Sequence, residues 1–505
     1  MIIIIINEYK SAVILFQSLG CPRNFVDTEV MLGYAVSSSS DRSDGGDMLL
    51  ADNADDADVI VINTCGFLES AREESRAAIA DAQDAILKQK SNKRLLVTGC
   101  MVNLPKHRDS ILRDFPGVDA ILPSGDIDKI VGTLRDLEDN DDKDKIDRRN
   151  KKKKKRKSFI EKGDTPRFLA TPPHYSYLKI AEGCRKRCSF CIIPKLKGRL
   201  QSKPISQVVE EFKAIIEHGT AREVILIAQD LGDYGLDFRN TEKEKKKSQL
   251  TPLLKAILST MDDNDNDPFW LRLLYLYPDE ITPDLIDLME ADRRIVRYVD
   301  LPIQHSHDDI LKAMRRKTDS KHIKDTIANL RERLPDIYIR TSLMVGFPGE
   351  TENHFLDLLQ FVKESKLDHV GVFVYSNEDM AYSSRLDDQV PEDIKQDRYR
   401  RLMEVQWKIV EERHKERVNQ SERLRIVVEG LKEIDGDIDD VNDSTSSLPS
   451  STAIVGRHAG QCPEIDGQII LEGFPPVNAG ERYWAEVTGY DGYDLIGRVL
   501  SEEEL

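Results

Sequence analysis

The chain reads as an α/β protein of three folded units in a row: a small parallel-sheet domain, an incomplete barrel of six β/α repeats and a small terminal β-barrel. Three observations predict this. Unbroken apolar runs alternate with segments of helical period twice over, first between residues 11 and 130 and again between 172 and 415. The tail after residue 419 instead holds short strands and glycine turns. At 505 residues, the chain also exceeds what one hydrophobic core usually organises.

The first unit, 9–136, carries the runs "AVILFQSLG", "DVIVINTCGF" and "RLLVTGC", with helical segments such as "ESAREESRAAIADAQDAIL" between them. Strands of a parallel sheet are buried on both faces and so read as continuous apolar runs, here of a flavodoxin-like domain. Each run ends in, or is followed at once by, a cysteine: Cys21, Cys65 and Cys100. Ligands of open parallel sheets sit beyond the strand carboxyl ends, so three thiols so placed face one crevice. Taken singly, each would be an ordinary small buried residue at a strand end. The opening "MIIIIINEYK" is too short to span a membrane and lacks the flanks of a signal peptide, which predicts a first-strand edge or a misplaced start in a soluble cytoplasmic protein.

Residues 137–168 are a charged linker containing "EDNDDKDKIDRRNKKKKKRK". The second unit, 169–418, restarts the alternation with "YLKIAEG", "EVILIAQD", "WLRLLYLYP", "VRYVDLPIQ", "YIRTSLMVGFP" and "HVGVFVYSN". Six repeats make an incomplete (β/α)6 barrel, with chemistry expected at the strand carboxyl ends. A long amphipathic helix, about 391–418, leads into the third unit, 419–503, an OB-like barrel interrupted by the insertion 433–451. A third solvated stretch is "SSSSDRSDGGD" at 37–47.

A formal charge of −17 argues against general affinity for nucleic acid. Seven cysteines are too few for a secreted disulfide scaffold in a chain of this length, and their clustering points to metal or redox chemistry in a reducing compartment. Three of them stand close together in "AEGCRKRCSFCIIP", as Cys184, Cys188 and Cys191. An iron–sulfur cube needs a ligand at each of four irons, so three thiolates leave one iron open to a substrate or cofactor. Structural zinc wants four closed ligands, and His174 is the only nearby candidate for the fourth; a disulfide with one spare thiol is the other alternative.

The spacing C-x3-C-x-aromatic-C, with Phe190 as the aromatic, resembles the radical S-adenosylmethionine (SAM) superfamily. That resemblance implies a [4Fe-4S] cluster on Cys184, Cys188 and Cys191 whose open iron chelates SAM, and reductive cleavage to methionine and a 5′-deoxyadenosyl radical. Radical work done by a cofactor fits the lack of a conspicuous acid/base dyad, and no catalytic residue beyond the cluster ligands is expected. "SLGCPRNFVDTEVM", "VINTCGFLESA" and "VTGC" resemble the amino-terminal domain of methylthiotransferases. They imply a second, auxiliary [4Fe-4S] cluster on Cys21, Cys65 and Cys100 whose spare iron carries the sulfur. The terminal barrel then corresponds to a TRAM domain.

Within that family, "GCPRNFVDTE", "CIIPKLKGRLQSKP", "YVDLPIQHSHDDILKAMRR", "MVGFPGETENHF" and "PEIDGQIIL" look like the RimO type, which modifies the β-carbon of an aspartate in the twelfth small-subunit ribosomal protein, rather than the type acting on transfer RNA adenosine. The departures are Leu231-Gly232-Asp233, where small hydroxyl residues are common, and Cys462 before "PEIDG". Resemblance also places the "VGFPGET" turn, with Gly346 and Gly349, in the cofactor-binding wall. Gln304, at the end of "DLPIQ", and Arg340, at the start of "RTSLMVGFP", read either as further cofactor-binding residues at the barrel mouth or as core-edge polar residues. His305 and His307 read as helix-entry residues and Trp484 as barrel core. Residues 421–505 hold 6 Lys and Arg against 18 Asp and Glu, a charge of −12, and −6 without 433–443. Such a tail repels RNA and suits a basic ribosomal protein as the docking partner of a monomeric enzyme. A reductase, flavodoxin or ferredoxin is implied as electron donor, and the insertions leave an organellar address open. The competing function of another class is a non-catalytic iron–sulfur redox sensor.

Overall fold

The computed structural model describes residues 2–7, 13–40, 48–49, 57–89, 93–139, 158–218, 221–238, 247–261, 269–433, 452–473 and 475–504. Most of the three charged or serine-rich stretches lies outside these residues.

The first domain is a six-stranded sheet of β1 (Ile2–Asn7), β2 (Ile14–Ser18), β3 (Met48–Leu49), β4 (Val59–Thr64), β5 (Arg94–Gly99) and β6 (Ala120–Pro123), in the order β3-β1-β2-β4-β5-β6. Strands β2, β4, β5 and β6 are parallel. With β1 set aside, the order is the flavodoxin-like one. The isoleucine run adds a separate strand, antiparallel to both β2 and β3, instead of lengthening the first parallel strand. Alternate residues feed two cores: Phe16, Val59, Val61 and Leu96 on one face, and Leu15, Ile60, Ile62, Leu95 and Val97 on the other. The register Ser18↔Asn63↔Thr98 ends the three central strands level, so their following cysteines emerge at one edge.

The barrel begins at β7 (Tyr175–Lys179). A short antiparallel pair follows, β8 (Ala181–Glu182) with β9 (Gln201–Ser202). Five strands complete the large sheet: β10 (Glu223–Ile227), β11 (Trp270–Leu273), β12 (Ile295–Asp300), β13 (Tyr338–Val345) and β14 (His369–Val374). Their order is β14-β13-β12-β11-β10-β7, parallel throughout. The two end strands do not pair, which leaves the barrel open. Its inner face carries Tyr175, Tyr177, Ile225, Ile227, Trp270 and Tyr298, and they pack on Val26 of the first domain and on Val427 and Cys462 of the tail.

The tail is a closed five-stranded barrel: β15 (Arg423–Glu433), β16 (Thr452–His458), β17 (Ile469–Leu471), β18 (Arg482–Asp491) and β19 (Asp494–Val499), in the order β15-β16-β17-β19-β18, with β18 returning to β15. The segment 459–467, between β16 and β17, fills the inner face of the open barrel. Arg272 donates to the Ala459 carbonyl at 2.9 Å, and the Tyr298 hydroxyl donates to Asp466 at 2.7 Å. Glu223 is shared by Arg272 and Arg457. Trp484, expected in the barrel core, lies half-buried opposite Arg425, because alternation along β18 turns Ala485 and Val487 inward instead.

Buried charge joins the first domain to the large barrel. Lys179 of β7 meets Asp27 at 2.5 Å and Glu161 at 2.9 Å, Lys197 meets Asp27 at 3.0 Å, and Lys203 meets Glu161 at 3.1 Å. Each of these side chains is nearly or completely out of solvent. Burial alone would raise the carboxyls, yet Lys179 and Lys203 hold Glu161 at about 2, and Lys197 and Lys179 hold Glu182 at about 2.

Candidate metal centre

Gly183 turns the chain from β8 into the cysteine loop with a φ of +74°, where a Cβ would meet the Arg199 carbonyl at 2.3 Å. Backbone bonds then pin the loop: Cys184 N–H donates to Gly198 O at 3.2 Å, Ser189 N–H to Met314 O at 3.0 Å and Cys191 N–H to Cys188 O at 3.2 Å. Each thiol receives a donor. The N–H groups of Lys186 and Ile193 lie 3.4 Å from the sulfurs of Cys184 and Cys191, and Arg316 Nη1 lies 3.8 Å from that of Cys188. Burial pushes Cys184 and Cys191 up to about 12, with neighbouring thiols adding to the rise. These groups stay protonated until a metal displaces the proton, as metal-binding thiols do.

The second triad is built by the ends of β2, β4 and β5. Cys100 is buried, Cys21 and Cys65 half-buried. Burial raises Cys65, and pushes Cys100 up to about 12, with the companion thiols of the triad adding in each case. Asn24 ties the strand ends together, donating to Leu19 O at 2.8 Å and to the carbonyls of Asn63 and Thr64 at 3.3 Å.

Both triads suit a cube better than a single ion. Thiolates 2.3 Å from one zinc sit within about 4 Å of one another. Among the described residues, the groups whose ligand atoms all lie within 4.8 Å of one another are His307, Asp309 and His354, and Asp230, Asp233 and Glu280; neither thiol triad is among them. The wider spread of both triads and the donors at each sulfur of the barrel triad fit an iron–sulfur cluster.

Of the other expected residues, Phe190 packs with Met314, Phe347 and Tyr375, beside the "VGFPGET" turn. In that turn Gly346 (φ +76°) backs onto Lys395, while a Cβ on Gly349 (φ +83°) would meet open space. Gln304 adopts a φ of 73° and bridges to β13, its N–H donating to Ser342 O at 2.9 Å and its carbonyl accepting from Met344 at 2.7 Å. Arg340 is held between Asp300 at 2.8 Å and Asp466 at 3.5 Å. His307 caps the helix that it enters, and His305 is buried, which lowers it to about 3.

Sequence reasoning missed three groups. Lys186, inside the cysteine loop, is surrounded by Asp230 at 3.3 Å, Asp233 at 3.8 Å and Glu280. Burial pushes Glu280 up to about 10, with Asp230 adding to the rise. Asp233, a departure from the subfamily pattern, thus belongs to the site. Arg316 is the second group and Arg23 the third; an arginine two residues after a cysteine carries no spacing signal by itself.

Family models match along the chain: "Uncharacterized protein family UPF0004" over 13–123, "Radical SAM superfamily" over 178–362 and "TRAM domain" over 443–500. The chain is 42% identical to ribosomal protein uS12 methylthiotransferase RimO of Protochlamydia amoebophila (strain UWE25), over 98% of this chain and 94% of that one. The same-named protein of Chlamydia felis (strain Fe/C-56) is 42% identical over 98% and 97%. The chain belongs to the RimO family. Membership of RimO within the radical SAM superfamily gives the barrel an iron–sulfur cluster and SAM as cofactors. A solved radical SAM methyltransferase, TsrM from Kitasatospora setae, is 15% identical with a TM-score of 0.45, covering 63% of this chain and 64% of that chain. Among the described residues of this RimO-family chain, no helix is long and apolar enough to cross a membrane.

Proposed function

We propose that the chain is a radical SAM methylthiotransferase that adds a methylthio group to the β-carbon of an aspartate in ribosomal protein uS12. The observation that carries this reading is the pairing of two thiol triads, one at the ends of parallel strands and one on the loop after β8, in a chain 42% identical to RimO proteins along nearly its whole length. Cys184, Cys188 and Cys191 would hold the barrel cluster, and Cys21, Cys65 and Cys100 a second one. Bound there, these groups and SAM supply the electron, the carbon radical, the sulfur and the methyl group. The chain supplies placement: N–H donors steady each barrel thiolate, the Lys186 carboxylate cage fixes the loop, and the tail closes the barrel's inner face against water.

The acidic tail is the surface on which basic uS12 docks, and the chain works as a monomer in the cytoplasm with a flavodoxin, ferredoxin or reductase as donor. Anaerobically reconstituted protein should contain about eight irons, and should raise the mass of purified uS12 by one methylthio group. Unmodified uS12 together with modified transfer RNA adenosine would overturn the substrate; clusters without any 5′-deoxyadenosine from SAM would overturn the enzyme.

A further inference from the structure

Arg23 stands in the first turn of the helix Pro22–Ser40, two residues after Cys21, and reaches out of the first domain into the mouth of the large barrel. Its Nη1 donates to the Ala228 carbonyl, 2.7 Å away just past β10. Its guanidinium lies over Tyr275, just past β11, 4.9 Å from the ring centroid. One half-buried cation therefore spans from the Cys21 end of the first domain to the ends of β10 and β11 at the barrel mouth.

Three nearby cations are committed to carboxylates. Lys186 serves Asp230 and Glu280, Lys197 serves Asp27 and Glu182, and Arg340 serves Asp300 and Asp466. Arg316 turns to Cys188 and the Pro302 carbonyl, on the barrel triad's side. Arg23 forms no ion pair with a carboxylate among the described residues, and Ala228 takes one of its five N–H donors. A guanidinium held by a ring and a carbonyl, with its fork largely unspent, is matched to a planar anion.

We propose that Arg23 receives the side-chain carboxylate of the target aspartate and thereby fixes its β-carbon in the gap between the two thiol triads. This rests on the aspartate reading above and goes beyond it by assigning the residue that recognises the substrate. A carboxylate leaving water needs a cation or several donors, and an asparagine in its place would leave Arg23 facing a neutral amide. The device selects the acid over its isosteric amide.

The test is binding of purified uS12, and of uS12 with the target aspartate changed to asparagine, to the anaerobically reconstituted full chain. Wild type should prefer the aspartate form by roughly tenfold to a hundredfold, the span of a charge-assisted hydrogen bond. Arg23→Gln should bind the two forms alike, with its iron content and circular dichroism unchanged. Arg23→Lys should keep part of the preference, since charge survives while the fork is lost. An Arg23→Gln protein that still prefers aspartate overturns the proposal, as does one that loses preference and iron together, which would make Arg23 a cluster support. Wild type that neither binds nor modifies uS12 fails the underlying reading instead, and the proposal with it.

Discussion

A methyl group at residue 20 would collide with Cys65. Gly20 has a φ of +86°, and a Cβ there would lie 2.7 Å from the Cys65 Cβ and 2.9 Å from its sulfur. Gly20→Ala should therefore displace one ligand of the first-domain triad and bring iron down from about eight to about four per chain, while 5′-deoxyadenosine is still formed by the barrel. Cys65→Ala should behave alike: SAM cleavage persists and methylthiolation of uS12 stops. Cys188→Ala should abolish both, as chromatography of the nucleoside would show. The cysteines were legible from sequence because thiols are rare and their spacing is constrained by what they hold. Arg23 was not, because arginine is common on surfaces and only the docking of two domains shows that this one faces a gap.

The strand β7 carries a lysine where an apolar residue would normally sit. Lys179 is fully buried among Asp27, Glu161 and Glu182, and both oxygens of Glu161 meet ammonium groups as ion pairs without well-directed hydrogen bonds. Lys179→Met should cost about 3–5 kcal/mol in chemical denaturation, the usual penalty for stranding buried carboxylates. The same network sets a pH dependence. Glu161 and Glu182 titrate below their unfolded value, so their contribution is complete above about pH 4.5 and is lost as pH falls toward about 2. Thermal denaturation along that range should show a falling midpoint in wild type and a flatter response in Lys179→Met. The parallel strands were readable because burial on both faces writes an apolar run. Strand β16, "TAIVGRH", was overlooked because it follows a low-complexity stretch; the isoleucine run was read as a first-strand edge, but its antiparallel pairing was not, because five isoleucines say strand without saying with which neighbour it pairs.

At the scale of the molecule, the three units were visible as shifts in pattern, but their mutual burial was not. Nothing in "GQCPEIDG" announces that it lines the inside of another domain, since hydrogen bonds between distant segments leave no periodicity. If uS12 docks on the acidic tail, its association should weaken steeply as salt rises, a dependence that stopped-flow mixing would measure. Association indifferent to salt would argue against that surface.

The plug at 459–467 also orders events during synthesis. Arg272 and Tyr298 find their partners, Ala459 and Asp466, only after the whole central domain has been made. On a ribosome that releases its product from the amino end, the central domain is fully translated while its floor is still missing. Metal loading into a finished barrel therefore waits until 459–467 has been made and folded in.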